Sequence, residues 1–258
     1  MIAASPSKPP YRRAWRLTLL VVIALLAGWV IRERAIEARL LRADPDSIPA
    51  DPSLNRFAIS RGAPIFHARC ASCHGDQGRG DPARGVPNLT DQDWLYGSGE
   101  VSDIERVVDY GIRARNPKTW NMAVMPALAA PHPGGEKGLQ PLSPGDINDV
   151  IDYLMQVEHR PHDAAAAVRG GVIYSTRGAC YDCHSADAQG DAAIGAPNLA
   201  DHIWLYGDGS RASIYQSIAH GHQGVCPAWI KILRPAKIRE VAVYVHSLSQ
   251  GRPAAKVR

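Results

Sequence analysis

Cys70-Ala71-Ser72-Cys73-His74 and Cys180-Tyr181-Asp182-Cys183-His184 each place two thiols and an imidazole within five residues of chain. Residues of these types in this order suit one chemistry. The thiols form thioethers to the two vinyl groups of a haem, and the adjacent histidine supplies the proximal ligand to its iron. Two such strings use four of the chain's five cysteines and imply two covalently bound haem c groups. Zinc competes for Cys-x-x-Cys, but a tetrahedral structural site needs a second ligand pair at a characteristic spacing, and none follows either string. A thioredoxin-like redox pair wants a βαβ setting and has no use for the histidine.

Iron held in this way needs a sixth ligand, and the methionines are Met1, Met122, Met125 and Met155. Met155 falls in an apolar helical pattern and suits a core. Met125, just before Pro126, is expected to be the distal ligand of the first haem, with Met122 in reserve. A histidine–thioether pair gives a low-spin haem of relatively high potential. No methionine follows Met155, so the second haem must look elsewhere. Cys226 stands in the place that matches Met125, and a thiolate there would favour ferric iron and lower the potential. His220 and His222 are the reserve ligands, an open or water-filled position is a third option, and a Cys226 packed as a small hydrophobe is the plain alternative.

A shift of 110 residues lays Pro87-Asn88-Leu89 on Pro197-Asn198-Leu199, Trp94-Leu95-Tyr96-Gly97 on Trp204-Leu205-Tyr206-Gly207, and Gly111 on Gly221. The chain is a duplication. Beyond Gly111 the shift drops to 101, pairing Met125-Pro126 with Cys226-Pro227, and then to 91, pairing Pro144 with Pro235 and Tyr153 with Tyr244. The first copy is thus longer in two surface loops.

The elements that must hold these groups read as helices. Ser143-Pro144 opens a segment with Ile147, Val150, Ile151 and Leu154 in one stripe, and Ile238, Val241, Val245 and Leu248 repeat it. Phe57 to Arg69 reads as a helix interrupted by Gly62, and Val168 to Thr176 as its counterpart, leading into Cys180 through a looser turn at Gly178. His159 to Ala167 reads as a short connection between domains. Strand signals are scarce. The expected fold is all-α: an N-terminal transmembrane helix, then two small helical domains at 43–160 and 161–258, each wrapped around a haem that supplies much of its core.

Residues 1–42 form a short cytoplasmic stub and a single anchor, whose apolar run Trp15 to Ile31 follows Lys8, Arg12, Arg13 and Arg16. Positive charge on that side should stay cytoplasmic and send the rest into the periplasm of a bacterial inner membrane. No Ala-x-Ala site follows to mark a cleaved signal peptide. This segment holds eight basic and two acidic residues, a net of +6 that leaves −2 for the remainder of a chain whose total is +4. The basic balance therefore belongs to the anchor and argues for no nucleic-acid partner. Residues 43–160 carry 11 basic and 16 acidic groups, a balance that suits steering of a cationic donor protein and that an ordinary solvated surface explains as well. Trp94, Tyr96, Trp204 and Tyr206 are candidates to bond haem propionates or simply to pack. Arg113, Arg115 and Lys118 read as a solvated loop, with contact to propionates or a partner as the alternative.

An anchor, the leader Ala43-Asp44-Pro45-Asp46, and two copies of Pro-Asn-Leu-x-Asp-x-x-Trp-Leu-Tyr-Gly, with Asn-Met-Ala-Val-Met-Pro at 121–126 in the first, resemble the dihaem subunit III of cbb3-type cytochrome c oxidases. The resemblance spans most of residues 40–250. It implies two class I cytochrome c domains in the periplasm that relay single electrons from soluble cytochrome c or a quinol-oxidising complex to the oxidase's monohaem subunit and catalytic core, with no bond chemistry of their own. By position it implies His74 and Met125 at the first iron and His184 at the second. The chain departs from the pattern at Cys226, where a methionine is expected before Pro227. Two other functions remain open at this point: a free-standing membrane dihaem cytochrome serving another redox complex, and a dihaem peroxidase-like enzyme with an open second iron.

Overall fold

A computed structural model describes residues 11–131 and 140–250. Nine α-helices and one short 3-10 turn are found among them, and the only β pairing there is a handful of isolated bridges. Helix α1 (Tyr11–Arg42) leads through a 3-10 turn (Pro45–Ala50) into α2 (Pro52–Arg69), which Asp51 caps by accepting from the amides of Ser53 and Leu54 at 2.9 and 3.1 Å. The haem strings form the single turns α3 (Ala71–His74) and α7 (Tyr181–His184). Helices α4 (Val101–Tyr110) and α8 (Arg211–His220) follow them, and both stop at glycines in left-handed backbone, Gly111 and Gly221. Helix α5 (Pro144–Val157) starts in a reciprocal capping box between Ser143 and Asp146; α6 (Ala164–Ser175) and α9 (Pro235–Ser249) complete the set.

Helix pairing runs across the expected boundary at 160/161. Helix α5, from the first copy, lies against α6 and α8 of the second, and the final helix α9 returns to α2 and α4 of the first. The connection explains why. The run of alanines read as linker is the start of α6, so only residues 158–163 join α5 to α6. A link that short makes an antiparallel helical hairpin and holds the two helices as neighbours. The carboxylate of Asp152 on α5 accepts from the Asp163 amide at 3.0 Å and closes the hairpin.

Gly62 does not interrupt α2. It lies where α9 crosses, and a Cβ there would strike the Glu240 carbonyl and come within 2.7 Å of the Tyr244 Cβ. Gly170 does the same for α6 against α5, where a Cβ would strike the carbonyl of Asp149. Asp149 matches Glu240 under the 91-residue shift, so the two crossings are copies of one contact. Two cores result: Phe66, Val101, Ile104, Val241 and Val245 in the first, and Ile151, Leu154, Tyr174, Ile214 and Ile218 in the second.

Two-fold pseudo-symmetry relates the halves. The Gly97 amide donates to the Ala192 carbonyl at 3.1 Å and the Gly207 amide to Pro82 at 3.0 Å; Tyr96 packs over Gly195 and Tyr206 over Gly85. Each contact maps onto its mate under the 110-residue shift, the isologous pattern of a two-fold dimer within one chain.

Helix α1 carries exposed apolar side chains from Leu17 to Ile31. No helix among the described residues is long and apolar enough to cross a membrane. The expected span at 15–31 contains Arg16, so its uncharged stretch is Leu17–Ile31, which rises about 22 Å against a hydrocarbon core of about 30 Å. The C-terminal end of α1 is fixed to the first core: the Arg239 guanidinium donates to the carbonyls of Leu40 and Ala43, both at 3.1 Å, and to Glu105 at 2.6 Å.

Candidate haem-binding sites

In each haem string the helical turn stacks the histidine one turn beyond the first cysteine. The Nδ1 of His74 lies 3.2 Å from the Pro87 carbonyl, and that of His184 lies 3.0 Å from the Pro197 carbonyl. A carbonyl only accepts, so Nδ1 carries the proton and the Nε2 lone pair is left for a metal. Burial lowers the pKa of both imidazoles, which favours the neutral, ligating form. Cys73 is exposed, whereas Cys70, Cys180 and Cys183 are partly buried; dehydration pushes the thiols of Cys70 and Cys180 up to about 11. At the second string Ser185 replaces Gly75 in left-handed backbone, φ 67°, and its carbonyl accepts from the buried Tyr174 hydroxyl at 2.7 Å.

The loops that carry the distal candidates cross between the halves. After Gly111 the chain crosses to the other half, and after Gly221 it crosses back. Ile112 pairs with Cys226 and Met125 with His222, and these two bridges are copies of each other. The amides of Leu128 and Ala129 donate to Ile218 and Ala219 on α8, at 3.0 and 3.2 Å. Their mates, Trp229 and Ile230, donate to Val108 and Asp109 on α4, also at 3.0 and 3.2 Å. Met125 packs against the second core, as do Cys180, Leu199 and Trp204, whereas chain order leads to the expectation that it serves the first string. Cys226 is partly buried. Dehydration raises its thiol to about 12, with Cys70 and Cys73 near enough to add to the effect. Met122 is 72% exposed. His220 is exposed at the end of α8, and His222 stacks on Tyr206 at 3.4 Å with its Nε2 2.9 Å from the Ser217 hydroxyl.

A family model described as cytochrome c matches residues 59–158, and one described as cytochrome C oxidase, cbb3-type, subunit III matches residues 165–245. The cbb3-type cytochrome c oxidase subunit CcoP of Cereibacter sphaeroides is 38% identical over 216 residues, covering 84% of this chain and 70% of that protein. CcoP of Rhodobacter capsulatus is 38% identical over 235 residues, with 88% and 74% covered, and FixP of Sinorhizobium medicae 37% over 206, with 80% and 66%. The chain belongs to the CcoP/FixP family.

Two cytochrome c units in a CcoP/FixP chain imply c-type haem, and the donor sets fit it: a thiol pair beside an imidazole whose free nitrogen is fixed by a backbone carbonyl, next to an apolar core, twice. Among the described residues no cluster of three or more His, Cys, Asp or Glu could hold a bare metal ion. Of the aromatic candidates in this CcoP/FixP chain, Trp204 spends its indole N–H on the buried Glu158 carboxylate at 3.1 Å, while Tyr96 and Tyr206 form the interface between halves. Arg113, expected in a solvated loop, is partly buried instead. In left-handed backbone, φ 48°, it donates to the carbonyls of Gly224 and Ala123, one on each crossing loop. Only its place two residues after Gly111 hints at this. Arg115 and Lys118 are exposed as expected.

Proposed function

We propose that the chain is the electron-relaying dihaem subunit of a cbb3-type oxidase, taking single electrons from a soluble cytochrome c or a quinol-oxidising complex and delivering them to the monohaem subunit and catalytic core. The observation that carries this is the pair of strings whose histidine Nε2 atoms are both left free by a proline carbonyl, in a chain of the CcoP/FixP family. Haem, when bound, supplies a one-electron ferric/ferrous couple. The protein's part is to hold it. Cys70, Cys73, Cys180 and Cys183 attach the two groups, His74 and His184 orient them, and the surrounding cores exclude water.

Helix α1 is the membrane anchor in this reading, with the haem units on the periplasmic side. Its apolar stretch is short of a full span, so Arg16 and Arg32 reach to the headgroups from either end and neighbouring helices of the oxidase cover the exposed leucines and valines. The peroxidase-like alternative finds no support in the distal histidines, since His220 is exposed and the Nε2 of His222 is engaged by Ser217.

Affinity purification of the chain from membranes tests the reading. Co-isolation of a copper–haem oxidase core, with two covalent haems per chain by pyridine haemochrome, is the expected result. A dihaem chain that purifies alone from detergent in which the core stays intact points to the free-standing cytochrome instead.

A further inference from the structure

We propose that the two haem sites exchange distal ligands across the pseudo-two-fold axis, with Met125 completing the second site opposite His184 and Cys226 completing the first opposite His74. This inference deepens the haem reading above and rests on it. It reverses the assignment that chain order suggests.

Four symmetric observations carry it. The bridges Ile112 to Cys226 and Met125 to His222 place each loop on the other half immediately after the equivalent glycines Gly111 and Gly221. Neither glycine tolerates a side chain: a Cβ at Gly111 would strike the Cys226 carbonyl and one at Gly221 the Met125 carbonyl. The loops then dock on α8 and α4 through paired amide–carbonyl bonds. The helices that follow seal the exchange, α5 on α6 and α9 on α2. Met125 on the 111–130 loop thus packs against the second core, and the backbone of the 222–230 loop, which carries Cys226, lies on α4 of the first half. Arg113 ties the two loops together at the crossing.

The ligand chemistries differ, so the exchange sets an order of potentials. A neutral thioether opposite histidine favours the ferrous state, and an anionic thiolate favours the ferric state. The first haem becomes the low-potential member and the second the high-potential one. Electrons then run downhill from the haem nearer α1 toward the second haem, the reverse of what chain order suggests.

The test uses full-length holoprotein from a host that attaches haem covalently. Cys180→Ser with Cys183→Ser leaves only the first haem; Cys70→Ser with Cys73→Ser leaves only the second. With the second haem alone, Met125→Leu should abolish the methionine-to-ferric-iron charge-transfer band. With the first haem alone, that band should be absent from the start, Cys226→Met should create it, and Cys226→Ala should remove the low-spin thiolate signal in electron paramagnetic resonance. Loss of a methionine band from the first-haem form on Met125→Leu would overturn the exchange, as would an unchanged first haem in Cys226→Ala. If a single-haem form does not fold, proton NMR of the ferrous two-haem protein decides. Ring-current-shifted Met125 methyl resonances should show contacts to the haem held by His184, and contacts to the haem held by His74 would refute the proposal. A wild-type chain that loses all its porphyrin to acid acetone would instead sink the haem reading itself.

Discussion

A carbonyl oxygen thirteen residues downstream decides what each proximal histidine can do, because it claims the Nδ1 proton and leaves Nε2 free. The motif that supplies it, Pro-Asn-Leu, was visible as a repeat, but nothing in its spacing showed that the proline carbonyl was the working atom. Arg113 was less legible still. It offers charge-assisted bonds to two carbonyls at the loop crossing, so Arg113→Ala is expected to lower stability by about 2 kcal/mol, read as a fall in the urea midpoint at constant m-value. A midpoint that does not move would show that the bonds contribute nothing net. Asp93 carries the opposite kind of signal. Burial, with Asp201 and Asp91 adding repulsion, pushes its carboxyl up to about 6. Its folded pKa lies above the unfolded value near 3.9, so its ionisation opposes folding as pH rises from about 4 through 6. Asp93→Asn should leave stability at pH 4 nearly unchanged and raise it at pH 7 by about 1 kcal/mol after solvent screening, as measured by denaturant titration at both pH values.

Helices were the most legible element, since Ser143-Pro144 and the apolar stripes of α5 and α9 mark starts and buried faces directly. Glycines within helices misled. A glycine in a helical pattern reads as a weak point because its backbone entropy costs about 1 kcal/mol, yet Gly62 and Gly170 are where neighbouring helices approach most closely. Gly62→Ala and Gly170→Ala should each destabilise by about 1–3 kcal/mol despite alanine's better helix propensity. Thermal unfolding of the two variants checks this, and a higher melting temperature in either would mean that the crossing is looser than the structure has it. The alanine run at 164–167 misled in the other direction, since small residues suit both a flexible link and a closely packed helix start. Asp163, which caps that helix through the Ala166 amide at 2.8 Å, was the signal available.

Intertwining gives the whole molecule a property that no tandem pair of domains shares. Cutting the chain between α5 and α6, within residues 158–163, severs the two copies in sequence while each still holds a helix of the other. Insertion of a protease site there is expected to yield two fragments that elute together under native conditions and separate only in denaturant. Fragments that part on native size exclusion would contradict the exchange of α5 and α9. The sequence by itself determined the duplication, the two Cys-x-x-Cys-His strings, the helical class and the family, because these depend on residue types at short spacings and on local periodicity. Which half each loop and closing helix serves was decided only in three dimensions. Both copies offer nearly the same surfaces to the returning chain, so local sequence cannot tell a helix from its symmetry mate; the six-residue link after α5 and the loop crossing at Gly111 and Gly221 break that degeneracy.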